Sequence, residues 1–95
     1  MVLHLVLFQF KEDGKAHLDE ALARLKAMVG PVEVIVDLKA GKDFLHSGRS
    51  YDLGLAVTLA DRKALERYND HPAHQPVKQF LAPLYEKAVS VDFEY

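Results

Sequence analysis

Seven consecutive residues, Tyr68-Asn69-Asp70-His71-Pro72-Ala73-His74, hold a phenol, a carboxylate and two imidazoles. An imidazole titrates close to neutrality and can take or give a proton there. A phenol can orient that imidazole or donate to a developing oxyanion. Together these groups suit removal of a proton beside a carbonyl, with the phenol meeting the charge that appears on oxygen. Tyr68 and His74 are too far apart in sequence for one helical face, so the pairing requires a bend at Pro72. His4 joins them if its side chain lies on the sheet face beneath the helices. Tyr68 and His74 are therefore the candidate catalytic pair, with His4 as a weaker third member. A plainer reading stands beside this one. Histidines flanking a proline at a helix start often satisfy free backbone groups, and a buried tyrosine is often a core aromatic. His71 is open between ligand contact and that structural role. Asp70, His71, His74 and His4 offer metal-ligand atoms, but Pro72 restricts their approach and a catalytic zinc needs three convergent ligands. No metal is expected.

The elements that must position these groups follow from periodicity. Val2 to Phe10 reads as a strand that is apolar on both faces, with His4, Val6, Phe8 and Phe10 on one and Leu3, Leu5 and Leu7 on the other. His17 to Val29 reads as a helix with Leu18, Leu22, Leu25 and Val29 as its buried stripe, stopped by Gly30-Pro31. Val32 to Lys39 is a second strand, residues 40–50 an irregular connection, and Tyr51 to Leu59 a third strand. Gly54, Ala56 and Thr58 alternate with its large residues, and Ala56 is expected to give a ligand room. Asp61 caps a short helix through Tyr68. Asn69 to Pro72 breaks it, and another begins near Pro72 or Pro76. Ala88 to Tyr95 closes the chain as a fourth strand, with Val89, Val91, Phe93 and Tyr95 on one side.

Strand, helix, strand, strand, helix, strand is the split βαβ, ferredoxin-like order of an α+β domain with a four-stranded antiparallel sheet. The 95 residues are expected to form one domain. Helices on one sheet face leave the leucines of the first strand on the other. A homodimer with the two sheets facing each other as a barrel is the expected remedy. A 49% hydrophobic content in so short a chain leaves apolar surface over for such a partner. The net charge of -2, without a basic run, argues against nucleic acid. No apolar run is long enough for a membrane span, and residues 1–10 lack the features of a signal peptide, so a cytoplasmic location is expected. With no cysteine and no glycine-rich phosphate loop, no cofactor is expected.

Val2 to Lys11, Tyr51-Asp52-Leu53-Gly54-Leu55, Leu65-Glu66-Arg67-Tyr68 with His71-Pro72-Ala73-His74, and Val91-Asp92-Phe93 resemble the stress-responsive A/B barrel domain family over nearly the whole chain. The resemblance implies the dimeric α+β barrel. Some plant members are stress proteins, and one closes a linear polyketide by aldol condensation. That member's catalytic tyrosine and histidine match Tyr68 and His74, and a cavity histidine matches His4. Leu53 stands where it has a second cavity histidine, and residues 18–29 hold no tyrosine to match another cavity group. The expectation is a homodimeric barrel with an apolar pocket for a small apolar or aromatic ligand near Tyr68 and His74. The alternatives are a non-catalytic stress or assembly protein, and a cofactor-free enzyme of polyketide-cyclase or monooxygenase type.

Overall fold

A computed structural model describes residues 1–95. β1 (Val2–Phe10) leads through a 3-10 turn (Asp13–His17) into α1 (Leu18–Lys26). β2 (Ile35–Lys42), β3 (Leu53–Leu59), α2 (Arg62–Asp70), α3 (Gln75–Leu81) and β4 (Tyr85–Glu94) follow. The sheet order is β2-β3-β1-β4, and every neighbouring pair is antiparallel. This is the ferredoxin-like arrangement that the order of elements predicts.

Side-chain parity sets the layers. Val2, Phe8 and Phe10 of β1 and Leu53, Leu55, Val57 and Leu59 of β3 pack beneath the helices, against Ala21, Leu25, Ala64, Tyr68, Val77 and Leu81. The opposite parity of β1 forms the open face. There Leu3, Leu5 and Leu7 lie between Phe93, Val91 and Val89 on one flank and Thr58, Ala56 and Gly54 on the other. Leu7, Val89, Val91 and Phe93 remain 39–53% exposed, a continuous apolar stripe on that face. No helix is long and apolar enough to cross a membrane.

The boundaries differ from expectation where local geometry overrides periodicity. α1 ends at Lys26, and tighter bonds such as Met28 N–H to the Leu25 carbonyl (3.2 Å) close its last turn. Met28 takes the buried place, while Val29, expected in the stripe, is 52% exposed. Val32 is buried in the turn that follows, and β2 starts only at Ile35. A bulge between Ile35 and Asp37 then inverts the parity, so Ile35 joins Leu38 against the core. β2 also runs on to Lys42, which shortens the irregular connection, and β3 starts at Leu53 rather than Tyr51. β4 begins at Tyr85, earlier than Ala88. Its start crosses the 3-10 turn so closely that a Cβ at Gly14 would lie 2.2 Å from the Leu84 carbonyl oxygen.

Candidate functional site

Asp61 starts α2 by accepting the Ala64 N–H at 2.8 Å. The helix carries Tyr68 on its inner side, fully buried. Pro72 disfavours helical backbone at the residue before it. His71 accordingly adopts an extended conformation (φ -61°, ψ 133°) and ends α2. A tight turn from His71 to His74 follows, closed by His74 N–H to the His71 carbonyl at 2.9 Å. The turn folds His74 back, and its Nδ1–H donates to the Tyr68 carbonyl at 2.9 Å. The two rings stack with centroids 4.3 Å apart. His4 reaches the same tyrosine from β1, edge-on at 5.5 Å.

Tyr68, His74 and His4 line one cavity of about 360 Å³ beneath the helices, near the β4 edge. Its walls are mostly apolar, including Val6, Phe8, Leu25, Leu55 and Leu81. The Tyr68 hydroxyl is buried and has no hydrogen-bond partner within the protein. Burial pushes its pKa above the ordinary phenol value, so it stays a proton donor. Burial also holds the His74 imidazole below its ordinary pKa; its bond to the Tyr68 carbonyl opposes this, and Lys78, His4 and His71 reinforce it. With the proton fixed on Nδ1, neutral His74 keeps a lone pair on Nε2. His4 Nδ1 bonds the Asp92 carboxylate of β4, its direct neighbour in the sheet register. That bond orients the ring and leaves its Nε2 free. The arrangement thus gathers the His74 acceptor, the His4 ring and one unspent phenol around the same space. Two imidazoles fall short of the three ligands of a catalytic zinc site.

The other two candidates lie elsewhere. His71 Nε2–H donates to Glu33 at 2.9 Å, and its Nδ1 accepts the Ala73 N–H at 3.1 Å. It braces the turn from outside the cavity lining. Ala56 lies on the open face beside Leu5, so it cannot make room at Tyr68; the large residues of β3, not its small ones, face the helices. Ala56 lines a separate depression between the sheet and the loop carrying Phe44 and Arg49. Asp92 was not anticipated, although the β4 alternation sets it opposite the Val89–Val91 side. Lys78 and Asn69 of the lining were also missed; Asn69 counts in the sequence only as part of the break after Tyr68.

The depressed His74 pKa has a thermodynamic consequence. Just below its ordinary 6.5, the unfolded chain binds more protons than the folded one. This contribution to stability is complete above that value and is lost as pH falls through the folded pKa. His74→Gln is expected to flatten the fall in urea midpoint between neutral pH and about pH 5. Parallel pH profiles for parent and variant would contradict it.

The stress responsive A/B barrel domain model matches residues 2–95. Among solved structures, a dimeric protein of unknown function from Bacteroides fragilis is 22% identical, with a TM-score of 0.88 over 99% of this chain and 95% of that one. A dimeric ferredoxin-like protein of unknown function from Jannaschia sp. is 26% identical, with a TM-score of 0.80 over 99% and 98%. A hydroxynitrile lyase from Passiflora edulis shares the fold at 15% identity, with a TM-score of 0.84 over 97% and 90%. No curated protein matches the chain. The order of strands, the Tyr68 to His74 element and the match across nearly every residue agree: this chain belongs to the stress responsive A/B barrel domain family.

Proposed function

We propose that residues 1–95 act as a single cytoplasmic domain that pairs sheet to sheet with a second copy. Each copy binds a small apolar or aromatic molecule, bearing a hydrogen-bonding oxygen, at Tyr68, His74 and His4. The observation that carries the binding reading is the mostly apolar cavity walled by Tyr68, whose hydroxyl is buried without a protein partner. Leaving such a group unpaired costs about 1–3 kcal/mol, which a ligand oxygen recovers once the side chains around it open to admit it. The cavity size suits a small ligand and weighs against a purely non-catalytic stress or assembly role.

The open face supports the dimer. Each β1 leucine has a smaller β3 neighbour: Leu3 with Thr58, Leu5 with Ala56, Leu7 with Gly54. A two-fold axis along the strands would set the leucines of one copy against the small residues of the other. Relatives described as dimeric, from Bacteroides fragilis and Jannaschia sp., agree with this reading.

The test is a titration with aromatic ketones, phenols and linear diketones, watched through the histidine ring protons by NMR. His4 and His74 signals should move, and those of exposed His17 and His46 should not. Silence at His4 and His74 across the panel would remove the reading. The His4–Asp92 pair favours a second possibility for the same pocket: a cofactor-free enzyme of polyketide-cyclase or monooxygenase type, in which His4 or His74 takes a proton and Tyr68 steadies the oxyanion.

A further inference from the structure

We infer that the cavity selects an acid: an apolar or aromatic molecule whose carboxylate is held by Lys78 at the cavity mouth while its body lies against Tyr68. This inference rests on the binding reading above and names the class of ligand.

The argument starts from the charges around the cavity. No aspartate or glutamate lines it, and Lys78 is its one permanently charged residue. Asp92 lies behind His4, tied to the imidazole Nδ1, and is not part of the lining. His74 is kept neutral by burial. Lys78 is therefore the one permanent charge among the lining residues, with the His4–Asp92 pair set at the wall, and that cation favours an anionic ligand group over a neutral one.

Lys78 is also held in position. Its Nζ donates to the Asn69 carbonyl at 2.6 Å, close to the end of α2. The Gln75 side chain donates to the same carbonyl at 3.0 Å. An ammonium group has three N–H donors, so two remain for a ligand. No carboxylate lies within ion-pair distance of Lys78, so no acidic side chain of the protein competes with a ligand for its charge. Lys78 is exposed and Tyr68 fully buried, so they mark the outer and inner ends of the chamber. An acid lying lengthwise meets a cation at one end and the Tyr68 side chain at the other.

The experiment compares matched pairs, octanoate with octanamide and cinnamate with cinnamamide, by calorimetric titration of the full chain. The parent should bind each acid about tenfold tighter than its amide, an ammonium–carboxylate ion pair in place of an ammonium–carbonyl bond. Raising the ionic strength should narrow that ratio. Lys78→Gln should bring it near unity, and Lys78→Arg should restore it. The ratio reads the charge and is blind to a general loss of folding. Acids and amides bound equally by the parent, or an acid preference that survives Lys78→Gln, would overturn the inference and leave the pocket standing. Binding of neither member of either pair would overturn both.

Discussion

A Leu5→Asp variant is expected to run as a monomer at micromolar concentration, and the parent as a dimer, by size exclusion with light scattering. Leu5 sits mid-strand on the open face, between Ala56 of β3 and Val91 of β4. If two sheets meet there, each copy places this residue in the contact, and a two-fold axis counts it twice. A carboxylate buried without a partner costs several kcal/mol, enough to outweigh a modest apolar interface. The substitution leaves the other sheet face untouched, so the circular-dichroism spectrum should persist. A monomeric parent, or a variant that still dimerises, would rule out the sheet-to-sheet arrangement.

The second large effect concerns Tyr68, where two substitutions should move stability in opposite directions. Tyr68→Ala empties a fully buried aromatic site and should cost about 3–5 kcal/mol in urea unfolding. Tyr68→Phe keeps the ring on His74 and His4 and removes only the unpartnered hydroxyl. It should stabilise the ligand-free protein by about 1 kcal/mol. Yet it should weaken binding and impair any turnover found, as should His74→Ala. Stability gained where function is lost is the mark of a group retained for its ligand. If Tyr68→Phe instead loses stability while binding and turnover hold, the hydroxyl is a structural group and the site reading falls.

Most of the fold was legible because strand parity and helical periodicity are local signals. β1 declared two apolar faces, and β4 declared its Val89, Val91 and Phe93 stripe. In β2 a bulge at Ile35–Asp37 inverts parity without a glycine or proline to announce it. Of the site, Tyr68, His74 and His4 were visible as chemistry, and Pro72 gave the bend. Ala56 was set on the wrong face because small size was taken for cavity lining, when its parity already separated it from Leu55 and Val57. Asp92 escaped notice because its meaning comes only from its neighbour across the sheet. That neighbour is His4, far away in the chain. Lys78 escaped for the same reason, since its role depends on where α3 settles relative to the end of α2.

The pairing of β1 with β4 bears on how the protein is made. β1 is made well before β4, its partner on one side, and Met1 and Tyr95 end as hydrogen-bonded neighbours. The sheet cannot close until β4 has been made, and such long-range closure is slow compared with helix formation. His4 therefore waits for Asp92. Until β4 is in place the His4 ring has no carboxylate to orient it, so the candidate site and the sheet are completed together.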